Sequence, residues 1–222
     1  MIRCRTLGPV ELQVDGAPPP PELLWRKHLA LLVYLARSPR RTRSREHLVA
    51  LLWSEKAESA ARHSLNEALR VIRRAAGEGA VETRVDQVTL SPGAVELDVD
   101  QFERAMTSAA LELAGGLMLG EFMEGFAITE ASSFEDWLAS ERRHWAGRGG
   151  HALVELGGRQ ADAGRLEEAR ETLARALALD PLSESAMHAL MRVMALGGDR
   201  AAALDRYDQW CALLRDRLGS DP

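Results

Sequence analysis

The sequence predicts a mainly α chain in two parts: an α+β module, then an all-α module of repeated helix pairs. Three observations predict it. Within the first 95 residues, short runs of alternating apolar and polar residues flank three helical patterns. From Asp100 on, one helical pattern follows another. Two of the later segments align with one another at an offset of 34 residues.

The elements follow in order. "IRCRTL" and "VELQV", split by Gly8-Pro9, alternate at a period of two and predict a small N-terminal hairpin. "DGAPPPPE" holds four consecutive prolines and reads as an extended connector. A strongly apolar helix is predicted from about Trp25 to Arg37, stopped by Pro39. A second begins after Ser44, whose hydroxyl suits an N-cap, and runs to Trp53. The link "SEKA" leads to a third helix, which stops near Gly77 and Gly79. "AVETR" and "QVTLS" around Arg84-Val85-Asp86-Gln87 form a second hairpin, and "PGAVELDVD" bridges to the rest.

In the second part, Phe102, Ala105, Met106, Ala109 and Leu113 mark the apolar face of a helix over 100–114. A glycine-punctuated connection follows, then a helix over 134–145 and further helices near 149–163, 166–179, 184–196 and 200–217. At the 34-residue offset Ala161 pairs with Ala195, Gly164 with Gly198, Ala169 with Ala203, Leu173 with Tyr207 and Leu177 with Cys211. A helix–turn–helix period of this length is the tetratricopeptide signature; one helix pair cannot cover its own apolar face, so pairs stack.

Helix, helix, link, helix and hairpin together make a winged helix–turn–helix. In such a module the last helix enters the DNA major groove and the hairpin reaches the backbone or minor groove. The third helix, residues 60–76, has the two faces this requires. Ala61, Leu65, Ala68, Leu69, Ile72 and Ala76 share one arc; Ser59, Arg62, His63, Asn66, Arg70, Arg73 and Arg74 fill the neighbouring one. Arg62, Asn66 and Arg70, at i, i+4 and i+8, are candidates to read base edges, with His63 beside them: arginine pairs with guanine O6/N7 and asparagine with adenine N6/N7. Arg43, Arg45, Arg73 and Arg74 suit phosphates, as do the backbone N–H groups after Ser44, and Arg84 at the hairpin turn suits the backbone or minor groove. An arginine-rich face can also be a solvated surface with i,i+4 partners such as Glu67. The position of this face, on the third helix and before a hairpin with an arginine at its turn, favours double-stranded DNA.

Charge agrees. The chain of 222 residues carries a net charge of −5. Residues 25–74 nevertheless hold 12 Lys+Arg against 4 Asp+Glu, whereas residues 100–222 hold 13 against 21. This points to a basic functional face on an acidic protein. A hydrophobic fraction of 46% supports a real core. Cys4 and Cys211 form no C-x-x-C pattern, the N-terminus lacks a signal-peptide core, and no apolar run is long enough to span a membrane. The expectation is a cytoplasmic protein without membrane contact.

The segments "LGPVELQVDG", "LALLVYLA", "SREHLVALLW" and "ARHSLNEALRVIRR" resemble the OmpR-type winged helix of bacterial antibiotic-regulatory (SARP-like) activators. "VELDVDQFERA" is similar to the start of the domain that follows in that family. "GLMLGEF", "WLASERRHW" and the run from "ALDPLSESAMHAL" to "LRDRLGSDP" resemble the bacterial transcriptional activator domain. The wing turn "RVDQ" departs from the family's glycine-rich turn. The resemblance implies a regulator that binds direct repeats near promoters as a homodimer on DNA and helps recruit RNA polymerase. Many relatives continue into an ATPase domain.

Motifs for other chemistry are missing from the sequence. There is no phosphate loop, dinucleotide fingerprint or nucleophile elbow. His28, His47, His63, His144, His151 and His188 show no metal-ligand spacing, so no cofactor or metal is expected. Trp53, Trp137 and Trp145 read as core anchors. The expectation is therefore mainly α: a winged helix–turn–helix (α+β) DNA-binding domain over 1–95, then an all-α tetratricopeptide-like activator domain over 96–222. The protein is expected to be a regulator, not an enzyme. The alternative is a tetratricopeptide-type interaction or signalling module, standing alone or as the front of a larger ATPase regulator, with its winged helix used for protein docking.

Overall fold

A computed structural model of the chain describes residues 1–219; Ser220, Asp221 and Pro222 of the closing "LGSDP" lie outside the described residues. The residues fall into two compact units. The first comprises Met1–Asp100 with Phe122–Arg142; the second comprises Gln101–Glu121 and the chain from Arg143 on. Among the described residues, no helix is long and apolar enough to cross a membrane, and no cluster of three or more His, Cys, Asp or Glu could hold a metal ion.

The first unit opens with β1 (Ile2–Arg5) and β2 (Glu11–Val14), antiparallel with Cys4 opposite Leu12. The last of the four prolines does not stay extended: Pro21 opens a short 3-10 turn, where its fixed φ is already suited to a helix start. Then come α1 (Arg26–Arg37), β3 (Thr42–Ser44), α2 (Arg45–Trp53) and α3 (Glu58–Ala76). Residues His28–Ala36 of α1 are all buried, making α1 the centre of this unit's core. The Ser44 hydroxyl accepts from the His47 N–H at 3.2 Å, the expected cap. The second hairpin is β4 (Val81–Arg84) and β5 (Gln87–Leu90); β3 joins its other edge, giving the order β3-β5-β4.

The predicted bridge "PGAVELDVD" contains a strand, β6 (Val95–Leu97), which pairs parallel with β1 and completes the order β2-β1-β6. The segment Phe122–Arg142 also belongs to this unit's packing: the Met123 N–H donates to the Thr6 carbonyl at 2.7 Å and the Glu124 N–H to that of Gly8 at 3.0 Å. Arg142 gathers this segment by donating to the carbonyls of Phe122, Met123 and Phe126.

Two helix boundaries differ from expectation. The helix predicted over 100–114 is two, α4 (Asp98–Thr107) and α5 (Leu111–Leu117), and Leu113 is exposed. Ala109 adopts φ 54°, the Ala110 N–H donates to the Ala105 carbonyl and the Ala109 N–H to that of Met106, a Schellman stop built on alanine. Conversely, the helices predicted over 134–145 and 149–163 are one, α6 (Ser132–Asp162). Two of its internal glycines, Gly149 and Gly157, admit neighbours. A Cβ at Gly149 would collide with Met118 Cε, and one at Gly157 would lie 2.7 Å from Leu173 Cγ.

Three helices follow: α7 (Leu166–Leu179), α8 (Glu184–Leu196) and α9 (Arg200–Leu218), with α7 packed on α8 and α8 on α9. The 34-residue repeat is visible in the backbone. Gly164 and Gly198 have φ 77° and 88°, and each closes a Schellman motif, through Arg165 N–H to the Gln160 carbonyl and Asp199 N–H to the Met194 carbonyl. The repeat-paired Ala169 and Ala203, Leu177 and Cys211 are all buried.

Candidate nucleic-acid interface

Helix α3 presents the two faces its sequence requires. Ala61, Leu65, Ala68, Leu69 and Ile72 are buried with Val71. Arg62, His63, Asn66, Arg70 and Arg74 lie outside that core, and all five are exposed. Arg62, Asn66, Arg70 and Arg74 step by four along a stripe of roughly 18 Å, at 1.5 Å per residue. Arg62 and Arg70 rest on acidic neighbours of the same helix, Glu58 at 2.5 Å and Glu67 at 2.7 Å. The hydrogen bond from Arg70 holds the Glu67 carboxyl below its ordinary pKa. Exposed pairs of this kind are weak and yield to a stronger acceptor. Arg74 makes no direct bond among the described residues and lies close enough to Glu67 to lower its pKa as well.

Three connections hold the surroundings of this stripe. Arg45, the first residue of α2, donates from its guanidinium to Asn66 Oδ1, leaving the Asn66 amide N–H groups to donate outward. The Arg45 backbone N–H donates to the Asp86 carbonyl of the hairpin turn at 2.8 Å. Arg73 donates from Nε to the Val81 carbonyl at 3.0 Å and from Nη2 to Thr83 Oγ1 at 2.8 Å, fastening α3 to β4. Helix, helix start and hairpin are thus tied together by the interface's own arginines.

The sequence-predicted residues therefore divide. Arg62, Asn66, Arg70 and Arg74 share the stripe, and Arg84, beside Glu82 at 3.2 Å, is exposed at the hairpin end. Two arginines expected at phosphates are used internally. Arg73 joins the hairpin; Arg43 donates to Ser38 Oγ at 2.9 Å and stacks over the Tyr34 ring at 5.4 Å. The Ser44 hydroxyl is occupied as a cap, and His63 lies beside the stripe, lining a separate concavity with Trp25 and Lys56.

Val85, to which the sequence assigned no role, forms the tip of the wing. It is fully exposed at the hairpin tip with φ 50°, a conformation costly for a β-branched residue. Its signal was available: a two-residue hairpin turn needs a positive φ and normally recruits glycine, and here the central pair is Val85-Asp86. His47 likewise takes a structural role. It hydrogen-bonds the Tyr34 hydroxyl at 2.7 Å, and burial, with Arg43 nearby, holds its pKa below the ordinary value.

Known proteins share this architecture. Residues 83–222 match the sequence profile of the bacterial transcriptional activator domain. The whole chain aligns at 25% identity with the transcriptional regulatory protein MoaR1 of Mycobacterium bovis (strain BCG / Pasteur 1173P2), covering 75% of that protein. It also superposes along its whole length on the structure of Mycobacterium tuberculosis EmbR in complex with a low affinity phosphopeptide, with a TM-score of 0.75 and 20% identity. The chain spans only 62% of that EmbR chain.

Proposed function

Because the chain belongs to the bacterial transcriptional activator domain family and is a transcriptional regulator of the SARP-like type, we propose that it works by binding double-stranded DNA through α3 and the β4–β5 wing. The observation that carries this reading is the Arg62–Asn66–Arg70–Arg74 stripe, on a helix whose other face is core and which Arg73 fastens to the wing.

In this reading Arg62, Asn66 and Arg70 meet base edges in the major groove, with His63 at their flank. Arg74, Arg84 and Arg45 meet phosphates or the minor groove; the backbone at the start of α2 does not join them, because the Arg45 N–H is held by the Asp86 carbonyl and the His47 N–H by Ser44 Oγ. Release of Glu58 and Glu67 frees the two reading arginines, and the surface pairs given up are weak. Asn66 keeps one lone pair on Oδ1 and its amide donors, the combination adenine requires.

The remainder of the proposal follows from family membership. Two protomers occupy a direct repeat near a promoter, the activator domain, residues 96–222, supports their pairing, and the complex helps recruit RNA polymerase. The protein acts in the cytoplasm as a binding protein without catalysis or cofactor.

The test is a titration of the chain into a labelled mixed-sequence duplex at about 50 mM and about 200 mM salt. Phosphate neutralisation predicts a loss of affinity of at least about tenfold between the two. No binding at the lower salt would overturn the reading.

A further inference from the structure

We propose that the first unit carries a binding site for a small planar organic anion, of the aromatic carboxylate class, in the concavity beside Trp25. The concavity has a volume of about 560 Å³, and Trp25, Lys27, Trp53, Lys56, His63 and Ile128 line it. Small-molecule sites are typically of roughly 300–1,000 Å³, apolar and aromatic with a few convergent polar groups. This one matches in size, and Trp25, Trp53 and Ile128 give it apolar and aromatic walls among polar and charged side chains.

Two observations make it more than a surface dent. Trp53, Trp145 and Trp210 are buried, but Trp25 is 61% exposed, its ring 5.2 Å from that of His28 at 35°. An indole left so open at the edge of a concavity offers a flat face for stacking another ring. The second observation is lysine placement. Of 28 Lys+Arg in the chain only Lys27 and Lys56 are lysine, and both line this concavity.

The cations are not equivalent. The Lys27 ammonium is committed to Glu55 at 2.5 Å. Lys56 donates to a neutral partner, Ser64 Oγ, at 2.9 Å, which leaves two of its three protons for an incoming carboxylate. His63 supplies a further ring N–H donor. Of the acidic residues that also line the space, Glu67 is held by Arg70 and Glu130 lies on the segment following Ile128. A ligand with a ring on Trp25 and its carboxylate on Lys56 satisfies the apolar and the basic groups together.

The probe is 2-naphthoate, titrated into the isotope-labelled chain without DNA, so the result is independent of whether the protein binds DNA. The readout is the Trp25 indole N–H resonance, identified by its loss in Trp25→Phe. The site predicts a saturable shift, weakened about tenfold, or 1.4 kcal/mol, when 2-naphthamide replaces the acid and again in Lys56→Gln. Both substituted side chains are exposed, so the fold is retained. The absence of a saturating shift, or equal responses to acid and amide, would overturn the proposal. So would unchanged affinity in Lys56→Gln, or a response to an acidic aromatic peptide with none to naphthoate, which would make the surface a protein-docking face.

Discussion

The buried carboxylate of Asp98 accepts hydrogen bonds from both the backbone N–H and the hydroxyl of Thr6, 92 residues earlier in the chain, at 2.9 and 2.7 Å. It also accepts from the Leu7 N–H at 2.8 Å and the Val99 N–H at 3.0 Å. One side chain thus satisfies the end of β1, the following turn and the first turn of α4. Asp98→Ala strands several buried donors and is expected to cost roughly 2–4 kcal/mol in chemical denaturation. Thr6→Val removes only the hydroxyl donor and should cost about 1 kcal/mol. Equal costs would show that the backbone bonds contribute nothing.

The same carboxylate acts on Cys4. Burial first, and the Asp98 charge second, push the Cys4 thiol pKa far above its ordinary value. Cys4 should therefore resist thiol reagents in the folded chain at neutral pH and react only on unfolding, read in a Cys211→Ser background. The sign for stability follows. As pH rises above about 9, the unfolded chain gives up a proton that the folded chain keeps, so stability falls. Cys4→Ala should flatten that decline; an unchanged decline would assign it to other groups.

Helix α6 separates two effects of glycine. A methyl group added at Gly158 would meet nothing within 4 Å, whereas one added at Gly157 would lie 2.7 Å from Leu173 Cγ. Gly158→Ala should stabilise by up to about 1 kcal/mol through helix propensity. Gly157→Ala gains the same propensity but must displace a branched, buried side chain, which costs about 1–3 kcal/mol. The two melting temperatures should move in opposite directions; a parallel rise would mean that Leu173 gives way freely.

On DNA, two arginines of one stripe are expected to behave differently. Arg70→Ala should cost roughly 1–3 kcal/mol on the preferred sequence and relax specificity at one position. Arg74→Ala should weaken preferred and scrambled duplexes alike and reduce the salt slope by about 1. Equal losses on both duplexes for Arg70→Ala would remove its base-reading role.

Much of this was legible in the sequence because the signals are local. The buried arc of α3 follows directly from helical spacing, and Ser44 caps α2 where a serine before an apolar run should. The misses are non-local. β6 is three residues long, and its partner β1 lies more than ninety residues away, so nothing nearby marks it as a strand. Gly149 and Gly157 of α6 look like breaks because only their packed neighbours, Met118 and Leu173, reveal their purpose. The candidate site divides the same way. The stripe could be read from spacing, but Arg43 and Arg73 could not be told from free cations without seeing Ser38, Tyr34, Val81 and Thr83 around them.

Whether α3 reads bases is decided by selecting bound duplexes from a random DNA pool at near-physiological salt, in parallel for the chain and its Arg62→Ala/Arg70→Ala double variant. Base reading by this helix predicts enrichment of a spaced direct repeat by the chain and its loss in the double variant. A repeat enriched equally by both, or only salt-sensitive binding without enrichment, would contradict it.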